Sequence, residues 1–260
     1  MAERIVRRQI ISALLGLVLL SLPGRAFAQS PQVLDADATR YMALGDSIAA
    51  GYKLAPITEG YTYRLYQDGV FDRMPHTLFN NVAAVGATSL DVLQRQVPQA
   101  LIPVAIGGFH AQYITLTVGG NDILSILRYA AAHPNDPGVL LFAQTTLAQY
   151  AQNLSATLAQ LIGGLPGVKI FVANQYTIPE LEAIAPGTSQ LINTFNATTQ
   201  QVVGVFAGHA FLVDVYGAFL GRRNLLWLDR TGTLSFEVHP TSVGHRVMEQ
   251  AFEDVIDANK

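Results

Sequence analysis

The chain contains no cysteine. Disulfides, thiol nucleophiles and thiolate metal sites are thereby excluded from its chemistry. Charge is also scarce: 13% of the 260 residues are Asp, Glu, Lys or Arg, while 50% are hydrophobic. That balance belongs to a chain with a packed core and not to a disordered one. There is no internal repeat, heptad run or block of like charge, and the 12 prolines and 22 glycines are scattered, so solenoids, coiled coils and low-complexity tails are ruled out as organising features. The length suits a single domain with a sizeable core, or at most two small ones.

The N-terminus reads as a separate object. Arg4, Arg7 and Arg8 precede an apolar run from Ile10 to Leu22, and Ala26-Phe27-Ala28 follows before Gln29. A basic start, a short apolar core and a small-x-small site form the pattern of a secretory signal. The apolar run has 13 residues, short of the roughly 20 that a membrane span needs. The expectation is a signal peptide over 1–28, a folded domain over 29–260, export to the periplasm or medium, and no stable membrane span after cleavage. Residues 1–28 hold four arginines and one glutamate, so the remainder keeps 12 basic and 18 acidic residues, a net charge of −6. Such a surface does not attract nucleic acid or anionic lipid.

Along the rest of the chain, apolar runs at strand length alternate with segments of helical period. Strands are expected at Arg40–Gly45, Thr77–Val85, Gln112–Val118, Lys169–Ala173 and Ala210–Val215. Helices are expected from Ser47, Ser89 and Asn121, over Tyr61–Gln67, along an amphipathic stretch from Val139 to Ile162, over Thr188–Phe206 and over Ser242–Ala258. The alternation predicts an α/β fold: a three-layer α/β/α sandwich whose mainly parallel sheet has about five strands, covered on both faces.

Four short segments fall at the ends of these predicted elements. Gly45-Asp46-Ser47 follows the first strand, Gly86 the second and Gly119-Gly120-Asn121-Asp122 the third, while His239-Pro240 precedes the last helix. The carboxyl ends of parallel strands face one crevice, so residues distant in sequence meet there. A serine hydroxyl is a weak nucleophile at neutral pH and needs a base within reach and donors for the oxyanion it generates. Ser47 supplies the hydroxyl and His239 a base. The Ser47 N–H, the Gly86 N–H and the Asn121 amide are candidate oxyanion donors. His76, His110, His133 and His209 have no acidic or histidine partner at ligand spacing, so no metal is expected, and no cofactor is implied. Asp122 reads as a helix cap, His245 as a surface or packing residue, and Leu225, Leu226, Trp227 and Leu228 as core in preference to an acyl pocket.

These blocks resemble the SGNH, or GDSL-type, serine hydrolases. Ala43-Leu44-Gly45-Asp46-Ser47, Asn81-Val82-Ala83-Ala84-Val85-Gly86, Thr117-Val118-Gly119-Gly120-Asn121-Asp122 and Val238-His239-Pro240-Thr241 stand in family order across most of the chain. The resemblance implies a flavodoxin-like fold, Ser47 as nucleophile, Gly86 and Asn121 as oxyanion donors, His239 as base, and a small-molecule ester or lipid substrate. One position departs from the family: the Asp three residues before the histidine is replaced by Phe236. The group that orients His239 is then the Phe236 carbonyl, Asp229 or Glu237, with Asp214 a more distant alternative. With a neutral orienter, His239 is expected to titrate near its reference pKa of about 6.5. Two rival functions share the scaffold, an acyltransferase on the same residues and a non-catalytic exported binding protein. Other folds fit less well: Ala49 breaks the G-x-S-x-G of an α/β-hydrolase elbow, and no G-x-G-x-x-G follows the first strand.

Overall fold

A computed structural model describes residues 39–71, 77–102, 111–177, 182, 185–222, 225–226 and 239–260. Five strands, β1 (Thr39–Gly45), β2 (Thr77–Asn81), β3 (Ala111–Thr117), β4 (Lys169–Ala173) and β5 (Ala210–Val213), form one sheet in the order β2-β1-β3-β4-β5. Every pairing is parallel. Helices α1 (Tyr61–Gln67), α3 (Gly120–Ala132), α4 (Gly138–Gly164), α5 (Thr188–Val205), α6 (Val215–Phe219) and α7 (Ser242–Asn259) provide the crossovers and outer layers. The helical stretch between β2 and β3, called α2, has three parts: one α-turn (Ser89–Asp91), a π-helical segment (Val92–Gln96) and a last turn (Val97–Ala100).

The strands are apolar on both faces because both faces are covered. Met42 and Leu44 of β1 join Ile114, Leu116, Ile170 and Val172 in a core shared with Tyr150, Leu154 and Leu158 of α4 and Ile192 and Phe195 of α5. The alternate residues Tyr41 and Ala43 turn to the other face and pack with Tyr61 of α1 and Met248, Phe252 and Ile256 of α7. The i, i+4 spacing of those three α7 residues places them on one stripe. Burying a side chain of this size stabilises by about 1.5–3 kcal/mol.

Two predicted elements come out differently. Ser47 to Lys53 is a series of turns and not a helix. Gly51 and Lys53 take positive φ (71° and 67°), and the Ala49 carbonyl accepts from the Asn81 amide (2.8 Å) and the Thr62 hydroxyl (3.1 Å). No helical ladder can propagate through that geometry. Strand β2 stops at Asn81, four residues before the expected end, because the Asn81 side chain accepts from its own chain two residues on, at Ala83 N–H (3.1 Å). Val82 and Ala84 still donate to the Ala43 and Gly45 carbonyls (3.0 and 3.1 Å), so the following loop runs beside the end of β1.

Candidate active site

The strand order reverses direction between β1 and β3, with β2 on one side and β4 on the other. That switch point is where open α/β sheets bind ligands, at the carboxyl ends of the strands. Gly45 and Thr117 are in register there. Gly45 has φ +131°, and a Cβ on it would stand 2.1 Å from the Thr117 carbonyl oxygen, so only glycine fits. Asp46 N–H donates to that carbonyl (3.1 Å). The Asp46 carboxylate then accepts from Ile48 N–H (3.0 Å) and the Thr117 hydroxyl (3.0 Å), which fixes the turn carrying Ser47. Burial pushes the Asp46 carboxyl up to about 6 against the opposing pull of these hydrogen bonds.

Gln96 was not anticipated from the sequence. Its buried amide accepts from Gly45 N–H (2.7 Å) and donates to the Gly45 carbonyl (2.8 Å). This two-point contact clamps the strand end on the side away from Thr117. Nothing in the glutamine-rich run Gln94, Gln96, Gln99 distinguishes it, since only the packing of the π-helical turn aims it inward.

His239 Nε2 lies 2.8 Å from Ser47 Oγ across a separation of 192 residues. With the hydroxyl donating to Nε2, the ring proton of the neutral imidazole sits on Nδ1. The segment that follows His239 is anchored at two points: Pro240 bridges Leu226 while Thr241 N–H donates to the Leu225 carbonyl (2.7 Å), and the Thr241 hydroxyl accepts from Gly244 N–H (3.2 Å) at the start of α7. The Tyr52 ring meets the imidazole edge-on at 4.8 Å. Burial, reinforced by the Lys53 ammonium, lowers His239 to about 4. This replaces the expectation of an unshifted value, which took no account of desolvation.

Gly86 has φ +81° and stands in an exposed turn, with open space around the position a Cβ would take. Among the described residues neither Ser47 N–H nor Gly86 N–H has a hydrogen-bond acceptor. The Asn121 amide donates one N–H to the Ala87 carbonyl (2.9 Å), leaving its second N–H for another acceptor. Asp122 does not simply cap its helix. Its buried carboxylate reaches Ser89 N–H (3.0 Å) and Ser89 Oγ–H (2.7 Å), and Asn153 of α4 donates to that same Oγ (3.0 Å).

Of the residues considered for orienting His239, Phe236, Asp229 and Glu237 lie outside the described residues. Asp214 is occupied at the start of α6, accepting from Gly217 N–H (2.9 Å) and the Asn174 amide (2.8 Å). Leu225 and Leu226 are buried in the core, and Trp227 and Leu228 lie outside the described residues. His76 and His110 do too, while His133 and His209 sit against the backbone carbonyls of Tyr129 and Val168. His245 is fully buried, and its Nδ1 accepts from Tyr61 N–H (3.2 Å).

Residues 43–247 match the family described as GDSL-like lipase/acylhydrolase. The chain belongs to that family. Among solved structures, a phospholipase A1 from Streptomyces albidoflavus NA297 aligns over 86% of this chain and 100% of its own, with 19% identity and a TM-score of 0.61. An extracellular lipase from Streptomyces rimosus aligns over 86% and 100% with 18% identity and a TM-score of 0.60. A lipase from a goat rumen metagenome aligns over 84% and 97% with 21% identity and a TM-score of 0.61. At such identities the likeness is one of fold. A search among curated proteins finds no match. Among the described residues no helix is long and apolar enough to cross a membrane.

Proposed function

We propose that this member of the GDSL-like lipase/acylhydrolase family is an exported serine esterase that cleaves carboxylic esters through an acyl-enzyme on Ser47. The observation that carries the reading is the 2.8 Å contact between Ser47 Oγ and His239 Nε2, on a serine whose own N–H has no acceptor among the described residues. Ser47 Oγ attacks the ester carbonyl carbon while Nε2 takes its proton, so a charged nucleophile is never released into the site. The carbonyl oxygen becomes an oxyanion and accepts from Ser47 N–H, Gly86 N–H and the second Asn121 N–H. As the tetrahedral adduct collapses, the imidazolium returns its proton to the departing alcohol. Water, deprotonated in turn by Nε2, attacks the acyl-enzyme and releases the acid. With His239 lowered to about 4 by burial and Lys53, the ring is in its basic form at neutral pH.

Export is supported by the basic, apolar and small-residue pattern of residues 1–28, and the catalytic form is then the chain from Gln29. The test is labelling of that form with a fluorophosphonate, read by intact mass. One adduct on the wild type and none on Ser47→Ala is expected, with turnover falling by roughly 10⁴-fold in the folded variant. Retention of a tenth of the activity in folded Ser47→Ala would remove Ser47 from the mechanism.

A further inference from the structure

The loop that carries Ser47 also carries an aromatic ring that lies against His239. The carbonyls from Asp46 to Ala49 are all occupied: Asp46 accepts from Ala50 N–H (3.1 Å), Ser47 from Tyr52 N–H (3.0 Å), Ile48 from Gly51 N–H (3.1 Å), and Ala49 from the Thr62 hydroxyl and the Asn81 amide. Gly51 has φ +71°, and a Cβ on it would meet Ile57 Cγ1 at 3.1 Å. Lys53 takes φ 67°, a left-handed conformation that residues with a side chain seldom adopt. The turn is therefore closed on itself, and Tyr52 is tied through its own N–H to the residue that holds the hydroxyl nucleophile.

From this turn the Tyr52 ring reaches His239, with centroids 4.8 Å apart and planes at 63°, a separation at which edge-to-face pairs are favourable. Lys53, next in the chain, is near enough for its ammonium to act on the same imidazole. The last torsion of a histidine has broad wells, so the side chain's own preference sets the position of Nε2 only loosely. Nε2 must nonetheless serve two oxygens in turn, taking a proton from Ser47 Oγ, 2.8 Å away, and giving it to the departing alcohol. A ring packed on the imidazole limits its swing without engaging either nitrogen, whichever group accepts from Nδ1. The Tyr52 hydroxyl makes no hydrogen bond among the described residues, and the side chain is 41% exposed. What Tyr52 offers the site is thus its ring, at a place where it adds little to the core.

We propose that Tyr52 is a positioning residue whose ring holds the His239 imidazole where Nε2 reaches both Ser47 Oγ and the leaving oxygen. The proposal rests on Ser47 and His239 being nucleophile and base. A reacting group misplaced by about 1 Å costs on the order of 10²-fold. In Tyr52→Ala kcat should therefore fall about 10- to 100-fold while KM stays within about threefold, since proton transfer belongs to the transition state. The loss should be greater for an alkyl ester, whose alkoxide must receive the returned proton, than for a nitrophenyl ester, whose leaving group departs as a stable anion.

The experiment is steady-state kinetics of para-nitrophenyl butyrate and ethyl butyrate on wild type, Tyr52→Ala, Tyr52→Leu and Tyr52→Phe, with circular dichroism for folding and the rate of fluorophosphonate labelling for each protein. Tyr52→Phe keeps the ring and should recover most of the kcat and labelling rate that Tyr52→Ala loses. Tyr52→Leu keeps apolar bulk without the ring plane, should lose kcat about tenfold or more, and carries the same test if Tyr52→Ala does not fold. The kcat/KM deficit of Tyr52→Ala should be about fivefold or more larger with ethyl butyrate than with the nitrophenyl ester. A folded Tyr52→Ala with kcat within about threefold of wild type, or an effect confined to KM, would overturn the assignment. So would a Tyr52→Phe as slow as Tyr52→Ala, which would place the effect in the hydroxyl, or equal deficits on the two esters. In each of these cases the wild type still labels and cleaves, and the esterase reading stands. If the wild type neither labels nor cleaves any ester, both fail together.

Discussion

The contact between Asp122 and Ser89 predicts a loss of turnover from a residue that touches no substrate. Asn121 and Gly86 sit on different segments, and something must hold those segments in mutual register. Asp122, next to Asn121, accepts both Ser89 N–H and Ser89 Oγ–H. Ser89 follows the Gly86 turn directly, and a Thr88–Asp91 capping box closes its first turn. Asp122→Ala removes two hydrogen bonds to a charged acceptor, worth about 1.5–3 kcal/mol each. Relief of the buried charge, which already raises the Asp122 carboxyl above its ordinary value, discounts that sum to about 2–4 kcal/mol. For a domain of this size such a change lowers Tm by roughly 4–16 °C. In the fraction that remains folded, Gly86 and Asn121, the proposed oxyanion donors, lose their spacing. A misplacement of about 1 Å costs on the order of 10²-fold, so kcat should fall about 10- to 100-fold with KM within about threefold. The assay is steady-state kinetics on Asp122→Ala, Ser89→Ala, Asn121→Ala and the doubles, with circular dichroism as the folding control. The two losses should be less than multiplicative when combined with Asn121→Ala. A folded Asp122→Ala with kcat within threefold of wild type, or fully multiplicative doubles, would refute the reasoning.

Asn121→Ala alone should lower kcat by about 10²–10³ and leave KM nearly unchanged, because the charge it meets exists only in the transition state; an effect confined to KM would make it a substrate-binding residue. Since burial and Lys53 lower His239 to about 4, its basic form persists as pH falls, and kcat/KM should hold to about pH 5 and drop through pH 4. An acid limb centred near 6.5 in the pH–rate profile would contradict that. His245, lowered to about 3 chiefly by burial with Arg64 and His239 adding to the effect, should make the fold acid-labile. The unfolded chain takes up this proton below about 6.5 and the folded one does not until about 3, so stability is present above 6.5 and lost at about 1.4 kcal/mol per pH unit below it. His245→Phe removes that slope as well as the acceptor for Tyr61 N–H. Urea titrations at pH 7 and 5.5 should show a smaller pH difference for the variant than for wild type, and equal differences would exclude His245 as the source.

Several features of this protein are determined by local sequence. The β-branched and apolar runs, broken by Gly45, Gly86 and Gly119, are enough to define parallel strands covered on both faces, and the bounds of Tyr61–Gln67 and Lys169–Ala173 follow from short-range pattern alone. The order of the four blocks likewise points to a hydrolase before any contact is known. What tertiary structure decided is everything that depends on atoms far apart in the chain. Ser47 to Lys53 becomes a set of turns because Asn81 and Thr62 take the Ala49 carbonyl, although the residues themselves would tolerate a helix. Asp122 carries an ordinary cap signature, yet its carboxylate is drawn across to Ser89, 33 positions away. Gln96 and Ile192 have no local mark at all; sheet register and helix packing bring one to the end of β1 and the other to a cleft beside Ser47. The basicity of His239 is also a tertiary property, since desolvation and a neighbouring ammonium move it, and neither exists until the chain has folded around it.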